Sequence, residues 1–303
     1  MSNSARNGSM RVCLVCHTEP DVWNGGFASI DRILPLFLEM TESIRDVAGR
    51  SPRVAWCLTS QVVEHRPAPF RILQELGHEI GVHSHFPAGS GRLQHDQDLN
   101  QQHLDDFAQW FPTLCETIAK AGFGRPRTHA AWMFACRDNM THILATSGIV
   151  ADCNVCYGGI HHLPNGFLLA DSRRRTSGKP YRLSERDHCI PGNSPVVELP
   201  VSGGFGCYWQ VNAQGQFSFF RPVASAQEGD RQLDMFRSRL DDLAPGELDV
   251  FHVHFHLYDF LPTDHSGPSR LERARGILAA IARDPRAAFA TPSEAVSDLR
   301  PPA

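Results

Sequence analysis

The sequence predicts an α/β protein built on parallel strands, as an open sheet or a barrel. Two patterns carry this. Short apolar strand-like runs recur between stretches whose apolar residues fall at helical spacing, the signature of βαβ units. Histidines and acidic residues then gather just after those runs, where parallel α/β proteins keep their chemistry. With 303 residues, 42% hydrophobic and 20% charged, the chain is long and apolar enough to enclose a sizeable core.

Strands are expected at residues 11–16, 53–58, 79–83, 128–134, 149–154, 196–201 and 249–256. Helices are expected at 29–47, 69–76, 93–122, 139–147, 227–243 and 268–284. In the first helix Ile30, Ile33, Leu34, Leu36, Phe37 and Met40 form one apolar stripe. Gly122 and Gly124 end the long helix and Gly148 stops the next. Residues 1–9 read as a polar tail and 10–303 as a single domain. Residues 154–195, rich in Gly, Pro, Arg and Ser, read as an insertion or lid with short β-hairpins. Its Tyr157, Arg173, Arg174, Arg175 and Arg182 suit closure over an anionic substrate, although an arginine run is more often a solvated loop.

A formal net charge of -4 gives no electrostatic case for nucleic acid or an anionic membrane. No apolar run reaches the roughly 20 residues of a membrane span. Residues 1–10 lack the apolar stretch of a signal peptide, so a cytoplasmic location is expected. Nine cysteines argue against a disulfide framework. Cys13-x-x-Cys16 and Cys153-x-x-Cys156 have zinc-site spacing but lie in strand-like text without a glycine-rich knuckle, so buried free thiols are expected.

Four clusters carry the chemistry. They are Cys16-His17-Thr18-Glu19-Pro20-Asp21, His83-Ser84-His85, Thr128-His129-Ala130-Ala131-Trp132, and His252-Val253-His254-Phe255-His256-Leu257-Tyr258-Asp259. A barrel would bring these strand ends to one face. An Asp with two His is a competent divalent-metal set with positions left open. Alternation puts His252, His254 and His256 on one side of a strand, where each buried imidazole needs a partner. An acidic residue after a strand is also a common turn or helix cap, and His17, His78, His129 and Trp132 could each be core residues.

Taken in order, these residues resemble the polysaccharide deacetylase (NodB-like) superfamily. Leu76-Gly77-His78-Glu79-Ile80-Gly81-Val82-His83 is similar to its second motif, whose last His binds metal. Cys13 to Asp21 stands at the first motif, and residues 126–155 resemble the third motif and the segment after it. Glu198-Leu199-Pro200-Val201-Ser202 resembles the "E-apolar-P-V-S" strand, and His256-Leu257-Tyr258-Asp259 the final motif.

The resemblance implies a distorted (β/α)7 barrel holding one divalent metal ion, usually zinc, and hydrolysing a C–N amide bond. By position it implies Asp21 and His83 as metal ligands, Glu19 as base and His256 as acid, with the roles of Glu19 and Asp21 open to exchange. The position of the usual second metal His is Pro87; His85 is the nearest substitute and His95 a further one. The usual supporting arginine is replaced by His129, which with Trp132 and Tyr258 is taken as substrate-binding. The expected substrate is an N-acetylated sugar or related soluble metabolite. The alternatives are an allantoinase-like amidohydrolase and an inactive carbohydrate-binding homologue.

Overall fold

Among the described residues, fourteen strands follow one another: β1 (Ser9–Thr18), β2 (Val54–Leu58), β3 (Glu79–Ser84), β4 (Thr128–Ala131), β5 (Ala151–Asp152), β6 (Ile160–His162), β7 (Leu168–Asp171), β8 (Tyr181–Arg182), β9 (Val197–Glu198), β10 (Val201–Gly204), β11 (Tyr208–Val211), β12 (Phe217–Phe220), β13 (Leu248–Phe255) and β14 (Ala287–Phe289). The computed structural model describes residues 8–21, 25–85, 107–134, 140–156, 160–162, 168–171, 178–204, 208–211, 217–220, 226–261 and 270–299. His95, Pro87, Tyr157, Arg173, Arg174 and Arg175 lie outside these residues.

The main sheet runs β10-β13-β1-β2-β3-β4-β5-β9-β8, with β14 also on β1. Its neighbours from β10 to β9 are all parallel. Strands β9 and β10 are two halves of one segment, bent at Leu199 and Pro200. One half pairs with β5 and the other with β13. The segment therefore closes the sheet into a ring of seven strand positions: β1, β2, β3, β4, β5, β9–β10 and β13. A parallel bridge from Cys156 to Val201 completes the seam. This is the distorted (β/α)7 barrel that the sequence resemblance implies.

The strands are apolar on both faces, as buried parallel strands must be. On the outer face Val12, Leu14, Trp56 and Phe255 pack against the helix Ala28–Glu42 and its neighbours through Ile33, Leu34 and Phe37. The inner face is lined by small groups: Cys13, Val15, Ala55, Cys57, Ala130, Ala151, Cys153 and Val250. The barrel waist is too tight for more. A Cβ at Gly81 would stand 2.7 Å from Cys57 Sγ and 2.8 Å from the Thr128 carbonyl. The described cysteines, including both CxxC pairs, are buried free thiols, as expected.

Several boundaries differ from expectation. The strand at 128–134 stops at Ala131, and Trp132–Phe134 forms a 3₁₀ turn with Phe134 at φ 52°. The helix expected at 69–76 runs from Pro67 to Glu75, and a further short helix, Ser60–His65, precedes it. Of the long helix at 93–122, Phe107–Ile118 is described; it passes into a π turn, Ala119–Phe123, with Gly122 and Gly124 at positive φ. Within 154–195, β6 and β7 form an antiparallel hairpin, and Arg182 donates to the Ser194 carbonyl, a contact within the segment itself. Among the described residues no helix is long and apolar enough to cross a membrane.

Candidate metal centre at the mouth of the barrel

The expected clusters meet at the C-terminal ends of the strands. His17 lies in β1 and Glu19 just beyond it; His83 lies in β3 with His85 just beyond; His254 lies in β13 with His256 just beyond. Alternation turns His17, His83 and His254 to the inner face, and the chain continues far enough for the next residues to reach the same space.

Two groups of three have ligand atoms within 4.8 Å of one another: Glu19 with His83 and His85, and His17 with His254 and His256. In the first, Glu19 Oε2 stands 2.6 Å from His85 Nε2 and 3.8 Å from His83 Nε2. His83 Nδ1 is 2.9 Å from the Ala130 carbonyl, which makes Nδ1 the protonated nitrogen and leaves Nε2 as a lone-pair donor. That Nε2 is buried without a hydrogen-bond partner. Burial lowers the pKa of His83 to about 4, so the ring is a neutral ligand at neutral pH. Burial pushes the Glu19 carboxyl up, but the attraction of His85 and His83 outweighs it and holds the group well below the usual carboxylate range. An ionised carboxylate beside two imidazoles is a donor set suited to a divalent transition metal.

Glu19 is held on its other side as well. Tyr258 Oη donates to Oε1 at 2.9 Å, and His256 Nε2 is 3.4 Å from the same oxygen. His256 is fixed by Asp259, whose Oδ2 accepts the His256 backbone N–H at 2.8 Å and lies 3.3 Å from its Nδ1. The Tyr258 ring stacks on the His256 ring at 4.5 Å. Trp132 sits at the edge of the group, its ring centre 6.1 Å from that of His85.

Two expected site residues lie elsewhere. The Asp21 carboxylate turns to the start of the helix Ala28–Glu42 and accepts the Ser29 N–H at 3.2 and 3.3 Å. Glu19, not Asp21, shares the space of His83 and His85. His129, expected to touch substrate, is 0% exposed. Its Nδ1 is 2.7 Å from Asp152 and its Nε2 2.8 Å from Ser84 Oγ, so both ring nitrogens are engaged inside the wall. Asp152 is bracketed by His129 and by His188 at 2.6 Å. Burial opposes its ionisation, but the two imidazoles prevail and lower its pKa. Asp152, His188 and Glu198 are also grouped closely enough to ligate a metal. Hydrogen bonds already occupy much of that trio, since Glu198 Oε1 accepts the Asn154 and Val155 amides.

His17 and His254 were not singled out as site residues in the sequence. The His17 ring centre is 4.4 Å from that of His83 and 4.1 Å from that of His254. The signal for His254 was there in the alternation with His256. The signal for His17 was only its place two residues before Glu19.

No family model matches the chain, and no curated protein matches it by sequence. Its fold does match solved structures. A Mycobacterium smegmatis protein assigned as a polysaccharide deacetylase is 15% identical, over 96% of this chain and 91% of its own, with a TM-score of 0.55. PuuE allantoinase is 12% identical, over 98% and 91%, with a TM-score of 0.56. A 4-α-glucanotransferase from Thermococcus litoralis is 14% identical, over 96% of this chain but 41% of its own, with a TM-score of 0.56. The chain thus has the barrel fold of these solved structures, polysaccharide deacetylases among them, and at 15% identity or less the likeness is one of fold.

Proposed function

We propose that the protein is a divalent-metal-dependent amide hydrolase of the deacetylase type, removing the acetyl group from an N-acetylated sugar or a related soluble metabolite. One observation carries the reading. A buried, ionised Glu19 faces His83 and His85 at the mouth of a barrel, and the lone-pair nitrogen of His83 has no other partner.

Glu19, His83 and His85 would hold the ion; zinc suits the set. When bound, such an ion polarises an amide carbonyl and lowers the pKa of a coordinated water. The chain's own residues do the rest. The Ala130 carbonyl fixes the His83 tautomer. Tyr258 orients the Glu19 carboxylate. His256, held by Asp259, places its Nε2 beside Glu19, in position to accept a proton from the attacking water and return it to the departing amine. Trp132 offers a partly exposed indole face beside His85, a surface on which a sugar ring can lie. In this arrangement Glu19 takes the ligand role expected of Asp21, and His256 serves both proton transfers.

The likeness to PuuE allantoinase favours a second reading, in which the bond cleaved is a ring amide. Incubating the zinc-loaded protein with N-acetylated sugars and with cyclic ureides tests both. Acetate release lost in Glu19→Gln supports the first reading, and ring opening lost in the same variant the second. A protein that binds sugars and hydrolyses neither class with metal bound overturns both and leaves a carbohydrate-binding homologue.

A further inference from the structure

The metal set of the proposed function uses Glu19, His83 and His85. It leaves a second trio beside it with no role in holding that ion. We propose that His17, His254 and His256 form a second divalent-cation site, and that Glu19 bridges the two ions of a dinuclear centre. The inference rests on the metal-binding reading above and extends it.

Three observations carry it. The ligand atoms of His17, His254 and His256 lie within 4.8 Å of one another, as do those of the first trio. His17 Nε2 and His254 Nδ1 are buried and have no hydrogen-bond partner, in residues that are each 3% exposed. A buried imidazole nitrogen without a partner is a cost that native structures rarely keep without a use. Stacking alone would fill the space equally well with an apolar ring, and Phe134 already supplies one, 4.8 Å from His254 and 5.3 Å from His17. The Phe134 backbone sits at φ 52°, a strained conformation for a bulky residue, of the kind that collects at functional sites.

The third observation is the placement of Glu19. Its Oε2 faces His85 and His83, while its Oε1 faces His256 Nε2 at 3.4 Å. The two oxygens thus point one to each trio, the geometry of a bridging carboxylate. The trios adjoin through His17 and His83, whose ring centres are 4.4 Å apart. Paired catalytic metals stand roughly 3.5–4 Å apart, so two ions here would need sites that adjoin as these trios do. Five imidazole ligands and one carboxylate would leave two divalent ions with a large excess of positive charge. The centre therefore selects anionic ligands, and an N-acetylated substrate bearing a carboxylate or phosphate fits it better than a neutral sugar. In the dinuclear form His256 is a ligand, and its proton-transfer role is confined to the singly loaded enzyme.

The test is a count of ions. Chelator-stripped full-length protein is titrated with Zn2+, and bound metal is measured by elemental analysis after gel filtration. A parallel sample loaded with Mn2+ is read by low-temperature electron paramagnetic resonance. Two Zn2+ per chain and a spin-coupled Mn2+ pair are expected in the wild type. His17→Asn and His254→Asn, checked for native circular dichroism, should each fall to one Zn2+ and lose the coupling. One Zn2+ in the wild type, kept in both variants and lost in His83→Asn, overturns the second site and leaves the proposed function standing. One Zn2+ lost from variants of either trio means a single shared ion and also overturns it. No Zn2+ at any loading overturns the metal-dependent function itself. The wild-type count decides even where a variant fails to fold.

Discussion

Tyr258 donates its hydroxyl hydrogen to Oε1 of Glu19 at 2.9 Å, joining the turn after the last barrel strand to the turn after the first. The carboxylate is thereby held from the side opposite His85, as second-layer partners hold metal ligands.

Tyr258→Phe removes that hydrogen bond and keeps the ring stacked on His256. Affinity for Zn2+ should fall roughly ten- to a hundredfold, with the fold intact. Competition with a coloured chelator measures it. An unchanged affinity means that Tyr258 does not orient Glu19.

Glu19 and Asp21 should part company when substituted. Glu19→Gln should abolish both metal retention and turnover. Asp21→Ala should keep the metal and lose roughly 1.5–3 kcal/mol of stability, the worth of a hydrogen bond from an amide to a charged group. Elemental analysis and urea unfolding of the two variants check this. Loss of metal from Asp21→Ala would restore Asp21 as a ligand.

His129→Leu should act on the fold and not on substrate affinity. It strips one of two imidazoles from the buried Asp152 carboxylate, and breaking a buried pair of this kind costs about 3–5 kcal/mol. Urea unfolding should show the loss, with KM for any identified substrate unchanged. A raised KM in a stable variant would return His129 to the binding site.

Acid should weaken the metal-free protein well above the carboxylate range. His78 accepts the Val54 N–H and the Trp56 indole N–H at Nδ1, at 3.1 and 3.2 Å, and burial lowers its pKa to about 4. Burial lowers His252 likewise, to about 4. An unfolded histidine titrates near pH 6.5. Between about pH 6.5 and 4 the unfolded chain therefore binds more protons than the native one, and stability falls as pH falls. Each such histidine withdraws roughly 1.4 kcal/mol per pH unit across that window. Urea midpoints at pH 7 and pH 5 in chelator should differ accordingly; equal midpoints would mean that these rings are protonated in the native state.

The barrel was legible because periodicity records which residues are buried on both faces, and the strand ends were legible because histidine is conspicuous there. The seam was less so. Residues 196–201 read as one strand, and only the pairing of Val197 with Ala151 and of Val201 with His252 reveals that it serves two neighbours. The β11–β12 hairpin and the helix Pro292–Asp298 escaped notice because they are short and weakly periodic. Within the site, His83, His85 and His256 were foreseen and do converge. Glu19 and Asp21 could not be told apart by spacing, since a turn decides which carboxylate faces inward. His129 was misplaced because a histidine at a strand end looks the same in sequence whether it faces the mouth or is locked to an aspartate in the wall.

The bend at Leu199 and Pro200 leaves the ring unequal around its circumference. Between β1 and β13 the ladder runs without interruption from Ser9 and Leu248 to Cys16 and Phe255. Across the bend each half-strand grips its neighbour briefly, at Ala151 and Asp152 on one side and from His252 to His254, through a register shift, on the other. Local opening is cheapest where the fewest backbone bonds must break. The protein is in effect a stave barrel with one short hoop. His254 lies within that unbroken ladder and Glu19 just beyond its β1 strand, so an opening at the bend would leave the pairing of β1 with β13 in place.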